Sequence, residues 1–508
     1  MSKNITRFAP SPTGYIHLGN LRSAIYPYLI AKQSDDGGDY ILRIEDTDQA
    51  RYVAGATDLI KETLVWMGLN WDEGIEKGGP AEPYYQSERR DIYHKYARKL
   101  IEAGRAYADP TTPEQINEYR QADNAAKKPF LYRNHRPSDT PAWEPGIPLR
   151  FKSEPKSVSW HDEVMGDMST GPEVMDDIIL IKADGLPTYN FAHIVDDYEM
   201  KITHIVHGVE YLSSMPNYLA IYEALGIEHP KFVSLPHVLA TVGNKKLSKR
   251  DGAKSAVDYR DDGVLPEAML NYLACLGWND GTEQEIYSMD DLLKSFSIDR
   301  IQNSGARFDE VKLLWQNGQW IRKIFDEQGC DALYDRTVSR DKASIDSHKE
   351  NPSRDSLVNF WPEEAMNYPE EYRKKVLSII YDRLKVLSDL REYTGYFFKD
   401  PEIDLEFLQS NKFIKKLSET EQRDLLSAAV DKLSAIPEEK WNADNLQTAL
   451  NELLEETAQK PAQLFSLIRI AISFANFSPA LHLTMEVLGR NVTLARLNAA
   501  KSAVVNDL

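Results

Sequence analysis

From Ile5 to Ala9 apolar and polar side chains alternate, which predicts a short buried strand. Pro10, Pro12 and Gly14 break any regular element after it, and from Leu18 the positions Leu21, Ala24, Ile25, Tyr28 and Leu29 recur at helical spacing. The chain therefore opens as strand, sharp turn, helix. A second strand, Asp39 to Asp48, follows the Gly37-Gly38 turn and ends in acids. A helix through Leu59, Thr63, Leu64 and Met67 stops at Gly68, and another is expected over residues 84–105. Between 106 and 186 prolines and short strand-like runs (149–151, 158–160, 178–182) replace long periods, which predicts an inserted α+β module. Its basic residues are Lys127, Lys128, Arg133 and Arg136. A turn into a helix at 184–197, a strand at 203–207, a helix at 213–225 and a strand from Phe232 through His237 to Leu239 resume the β–α–β rhythm.

Residues 264–325 carry helical patterns and aromatics, and from about 326 the chain reads as almost all helix. Three apolar stripes mark it: Val376, Leu377, Ile380, Leu384, Leu387; Leu446, Ala449, Leu450, Leu453, Leu454; and Leu464, Leu467, Ile468, Ala471, Ile472. The polar stretch 335–355 reads as a loose connection. The fold expected is α/β with a parallel sheet, an α+β insertion and an all-α C-terminal part.

At 508 residues the chain is too long for one core. It shows neither the apolar run of a signal peptide nor a segment able to cross a bilayer, so a cytoplasmic protein is expected. Two cysteines, Cys275 and Cys330, stand far apart without partners at metal-ligand spacing, which argues against a disulfide framework and a structural zinc. A net charge of −19 disfavours a nucleic-acid partner without excluding one, because an acidic body with one basic face still steers a polyanion to that face.

The opening turn offers free backbone N–H groups and the positive end of a helix dipole at the carboxyl edge of a sheet, where α/β folds bind phosphates. There His17 is placed to donate to phosphate oxygens and Gly19 to admit a ring or sugar, while Ser11 supplies a hydroxyl and Arg7 a fork that matches a carboxylate. Glu45, Asp46 and Asp48 end the second strand beside that turn, and one of them suits a substrate ammonium. Gly243 to Gly252 brackets Lys245, Lys246, Ser248, Lys249 and Arg250, a loop whose chemistry suits a mobile clamp on a polyphosphate. Taken alone, each piece reads better as an ordinary turn, a solvated strand end or a solvated basic loop.

Taken in order, the His17-x-Gly19 turn, the acidic strand end and Lys246-Leu-Ser-Lys249-Arg250 resemble the class I aminoacyl-tRNA synthetases, whose signatures are His-x-Gly-His and Lys-Met-Ser-Lys-Ser. More closely, RFAPSPTGYIHLGN, RIEDTD, DGLPTYNFAHIVDD, LSKRDGA and WQNGQWIR are similar to the bacterial glutamyl members of the glutamyl/glutaminyl subgroup, over essentially the whole chain. The resemblance implies a Rossmann-type catalytic domain in two halves, 1–105 and 187–242, split by an acceptor-end-binding module at 106–186. A signature-loop and stem-contact domain at 243–325 and a helical anticodon-binding region at 326–508 would follow. It implies ATP-dependent activation of glutamate and transfer to the 3′ end of tRNA(Glu), with Mg2+ carried by the nucleotide and the enzyme a monomer. Glutamate would meet Arg7, Ala9, Ser11, Glu45, Tyr189, His193 and His207; ATP would meet Ser11, His17, Gly19, Glu210, Lys246 and Lys249. The catalytic set would be His17, Lys246 and Lys249, and Arg383 would read the third anticodon base.

Two positions leave the family's pattern: His193 stands where most relatives carry Asn, and His207 where most carry Arg. If His207 meets the substrate acid, glutamate affinity is expected to improve at mildly acidic pH. The insert has no cysteines, so no zinc is expected there. The alternatives are an enzyme that also charges tRNA(Gln), a catalytically impaired tRNA-binding relative, a synthetase that modifies a tRNA base, and a nucleotidylyltransferase.

Overall fold

The computed structural model describes residues 3–14, 18–34, 37–243, 245–247, 254–337, 360–475 and 477–504. The chain divides into two compact units, Met1–Tyr259 with Pro266–Glu310, and Arg260–Leu265 with Val311–Leu508.

The first unit is built on parallel strands. β1 (Ile5–Phe8) pairs with β2 (Asp39–Leu42), Ile5 opposite Asp39 and Phe8 opposite Leu42. The crossover helix α1 (Leu18–Lys32) buries Leu21, Ala24, Ile25 and Leu29. After α2 (Ala56–Trp66), β3 (Glu73–Gly74) adds to the far edge of β2. Next come α3 (Arg90–Glu102), β4 (Ala106–Ala108), α4 (Pro113–Ala125), β5 (Leu149–Phe151), β6 (Val158–Asp162), β7 (Gly166–Thr170) and β8 (Ile179–Ile181). The second half of the core follows as α5 (Tyr189–Glu199), β9 (His204–Gly208), α6 (Met215–Leu225) and β10 (Lys231–Leu235). β9 and β10 are parallel in register from His204–Lys231 to Gly208–Leu235.

The two halves meet at β1 and β9. Thr203 N donates to Ile5 O at 2.8 Å, and two residues further along β1 the Arg7 side chain reaches Val206 O. The strands therefore run the same way, and their carboxyl ends open on one edge.

The segment expected as an inserted α+β module contributes strands to two sheets. β4, β5 and β8 form an antiparallel sheet of their own, whereas the β6–β7 hairpin joins β10 to give the order β7-β6-β10-β9. Three local expectations also differ. The helix expected over 84–105 begins only at Arg90, because Ile44 N donates to Tyr84 O and Gln86 N to Ile44 O, stitching that stretch to the end of β2. Pro236 interrupts the expected strand 232–239, so that Val238–Leu239 pairs instead with Ala306–Arg307. The stripe from Val376 to Leu387 does not lie on one helix: Glu370–Ser378 ends, Tyr381–Arg383 forms a 3-10 turn, and Leu384 and Leu387 are buried beyond it.

The described part of the second unit holds helices and no strand, among them Asp389–Phe398, Glu419–Ser434, Ala443–Thr457, Pro461–Ser473, Leu481–Leu488 and Arg490–Ala503. Leu446, Ala449, Leu450 and Leu453, and Leu464, Leu467, Ile468, Ala471 and Ile472, face its core. Among the described residues no helix is long and apolar enough to cross a membrane.

Candidate active site

The carboxyl edge of the parallel strands carries a cleft of about 410 Å³. Arg7 and Ala9 come from the end of β1 and the residue after it, Ser11 from the turn, Gly19 from the first turn of α1 and Glu45 from the segment beyond β2. Tyr189 opens α5, His207 is the penultimate residue of β9, and Glu210 and Lys246 also line the cleft. A Cβ on Gly19 would meet only Val238, at 4.0 Å. What Gly19 keeps free is therefore space toward the cleft. Nine of the residues the sequence singled out thus line one cavity: Arg7, Ala9, Ser11, Gly19, Glu45, Tyr189, His207, Glu210 and Lys246. His193 stands behind them, its ring stacked on Tyr189 at 4.8 Å. His17 and Lys249 lie outside the described residues.

One part of the cleft is built around Arg7. Its Nε and Nη2 donate to the two oxygens of Asp197, at 2.9 and 3.1 Å, and its Nη1 to Val206 O at 3.3 Å. Burial opposes the charge on both partners and each outweighs it for the other, so Asp197 stays well below the usual carboxylate range and Arg7 stays charged. Burial pushes Glu45 up, against the pull of Arg43 and Arg7. The aromatic wall is Tyr189 stacked on Tyr211, with Tyr211 stacked in turn on His207. Burial above all, with Arg7 adding to it at His207, pulls both His193 and His207 down to about 4. Both rings are neutral near pH 7, so the acid-enhanced affinity expected from His207 loses its physical basis.

In another part the residues flanking the basic loop turn back on Val238–Leu239, Ala240 N bonding Lys245 O and Leu247 N bonding Val238 O. This presents the Lys246 ammonium, 2.9 Å from Glu210 Oε1. Burial raises Glu210, but the Lys246 hydrogen bond and charge outweigh it and hold the carboxyl below its ordinary value. Lys254 lines the same cleft.

Sequence reasoning missed Arg22, Arg43, Asp196, Asp197 and Tyr211. Arg22 is buried in α1 and donates to Leu276 O and Pro236 O, tying the start of that helix to the floor of the cleft. A signal for three of the others was present: Arg43 occupies an apolar run (Tyr40-Ile-Leu-Arg-Ile44), and Asp196 and Asp197 directly follow the apolar pair Ile194 and Val195. Charges written into apolar runs are buried with partners.

Arg383 lies in the second unit, on the turn Tyr381–Arg383 rather than on a helix. Phe325 stacks on Tyr381 at 3.6 Å and anchors that turn. Arg383 borders a recess of about 330 Å³ with Arg469, Phe477 and Pro479.

Residues 3–315 match the family described as tRNA synthetases class I (E and Q), catalytic domain, and residues 356–501 match an anticodon binding domain. The chain belongs to the class I tRNA synthetases. A glutamate–tRNA ligase of Clostridium botulinum is 41% identical to this synthetase over 504 residues, 97% of this chain and 96% of its own. One from Clostridium kluyveri is 38% identical over 510 residues, covering 98% and 97%. The crystal structure of a glutamate tRNA ligase from Elizabethkingia meningosepticum, in complex with its amino acid, superposes with a TM-score of 0.81 at 31% identity over 99% of this chain and 100% of that one. The parallel Rossmann-type sheet with an all-helical C-terminal part is the fold of this family.

Proposed function

We propose that this synthetase activates L-glutamate with ATP and transfers it to the 3′ end of tRNA(Glu). One observation carries the reading: two segments more than 200 residues apart, the Arg7–Gly19 turn and the Lys246 flank, line one cleft that holds both a guanidinium and an ammonium. The named relatives are glutamate–tRNA ligases, which fits that pairing.

In this reading Arg7 takes the side-chain carboxylate with Tyr189 alongside, and His193 and His207 close the aromatic wall around it. Ser11 and Glu45 hold the α-ammonium, next to the backbone of Ala9. The α-carboxylate then attacks the α-phosphorus of ATP, forming the mixed anhydride glutamyl-adenylate and releasing pyrophosphate. Next, the terminal ribose hydroxyl of tRNA attacks the activated carbonyl and AMP leaves. No covalent enzyme intermediate is needed, because alignment and charge compensation supply the acceleration. Gly19 and His17 cradle the nucleotide, Glu210 also meets it, and Lys246 and Lys249 counter charge on its phosphates. Lys246 must leave Glu210 to do so. Mg2+ enters with the triphosphate as part of the substrate, and no zinc is assigned to the insert. Arg383 contacts an anticodon base, and the protein acts as a cytoplasmic monomer.

Charging of purified tRNA(Glu) and tRNA(Gln) with glutamate or glutamine tests the reading. Glutamyl-tRNA(Glu) is the expected product, and ATP consumption without any charged tRNA would overturn it. Glutamate on tRNA(Gln) as well would establish the broader enzyme. Lys246→Ala is expected to lower kcat by about a hundredfold or more, with the KM for glutamate unchanged.

A further inference from the structure

The two substrate-reading side chains, Arg7 and Glu45, end an open chain of alternating charge whose inner members, Asp197 and Arg43, the reaction itself does not use. Asp197 accepts both Arg7 bonds and a third, from Arg43 Nη1 at 2.7 Å. Arg43 Nη2 then donates to Glu45 Oε1 at 3.0 Å. Arg7, Asp197, Arg43 and Glu45 thus form one unbroken run that links strand β1, the segment just beyond β2 and helix α5. Arg43 and Asp197 are fully buried, whereas Arg7 and Glu45 reach the cleft. Asp196 braces the run from behind: it accepts from Arg89 Nε at 2.7 Å, Gln86 Nε2 at 2.8 Å and Tyr93 Oη at 2.9 Å, and stands 3.7 Å from Arg43 Nε.

The donor count shows what this does to Arg7. A guanidinium has five N–H groups, and among the described residues three of those on Arg7 are engaged. Asp197 takes the Nε–Nη2 edge, leaving one N–H on each terminal nitrogen for a ligand. Glu45 is held in the same way, one oxygen on Arg43 and the carboxylate presented to the cleft. The reader of the negative end of the substrate and the reader of its positive end are therefore fixed to each other through two groups that touch neither end.

We infer that Asp197 and Arg43 are positioning residues that set the spacing between the carboxylate-binding and ammonium-binding ends of the amino-acid subsite, so that the buried chain measures substrate length. This rests on the glutamate reading given above. A fork that bridges two carboxylates holds both in a fixed plane, which a point charge such as lysine does not. Misplacement by about an ångström costs up to about a hundredfold in a site of this kind.

Two variants and one wild-type measurement test it, all by charging kinetics. Asp197→Asn keeps the shape and removes the charge; Arg43→Lys keeps the charge and removes the fork. Each is expected to raise the glutamate KM by about tenfold or more, with the KM values for ATP and tRNA within about twofold of wild type. On the wild-type enzyme, aspartate and 2-aminoadipate, one methylene shorter and one longer, are expected to compete with glutamate at least about tenfold more weakly. A folded variant with an unchanged glutamate KM, or one in which all three KM values rise together, overturns the inference. So does equal competition by the shorter and longer acids, which needs no variant. A wild-type enzyme that charges no glutamate overturns the reading beneath it instead.

Discussion

His193 and His207 sit in the same buried wall as Arg7, and the physical consequence is loss of charge rather than gain. With both imidazoles pulled to about 4, chiefly by burial, neither changes protonation between pH 6 and 8. The glutamate KM is expected to be flat across that range; a clear fall toward pH 6 would show that a ring titrates there. Stability responds further down. A histidine with a folded value below its unfolded one contributes fully above about 6.5 and loses that contribution as pH falls toward 4. Together the two should cost several kcal/mol, on the order of 3 each, measurable as a steep drop in the unfolding midpoint between pH 6 and 4. Asp197 acts the same way in direction but lower, its contribution persisting until strong acid protonates it. At this scale the sequence singled out Arg7, Glu45 and Lys246 from a strand and the turns and loops beside it, and all three line the cleft. For Asp197 and Arg43 the sequence offers only charges set in apolar surroundings; which partner each takes is decided by a contact between residues 154 apart in the chain.

Helices that bury an apolar face were legible from their periodicity, and one that buries none left only its cap to read. α1, α5 and α6, and the helices at 443–457 and 461–473, announce themselves by buried positions at helical spacing. α4 buries nothing, so it offers no periodicity, yet its Thr112-Pro-Glu-Gln115 start is a capping box that sequence alone spells out. The same device starts the helix Glu419–Ser434, where Ser418 Oγ accepts from Glu421 N and the Glu421 carboxylate takes Ser418 N at 2.7 Å. Ser418→Ala is expected to destabilise the protein by about 1 kcal/mol, seen as a lower denaturation midpoint with charging kinetics at 25 °C unchanged. The break in the 376–387 stripe was hidden for the opposite reason: the apolar residues continue at helical spacing while the backbone turns, because aromatic stacking of Phe325 on Tyr381 holds the turn in place.

For the whole molecule, a chain of net charge −19 that binds a polynucleotide must do so through local cations, and its affinity must fall as salt rises. Arg383, exposed on its turn with Asp382 at 3.3 Å, shares a recess with Arg469 and Phe477 in the second unit. Arg383→Ala is expected to raise the KM for tRNA about tenfold while those for glutamate and ATP stay put, checked by charging kinetics over a range of tRNA concentrations. The hairpin β6–β7 bears on how a protein of this shape can change over time. Asp162 of that hairpin bonds the backbone N–H of Ser234 at 3.3 Å, and the Ser234 hydroxyl meets His207 Nε2 at 3.0 Å. A deletion that trims residues 106–186 to a short link would strip two strands from a four-stranded sheet and remove the acceptor beneath the substrate wall. The segment is thus part of the foundation under His207 and not an appendage hung from the sheet.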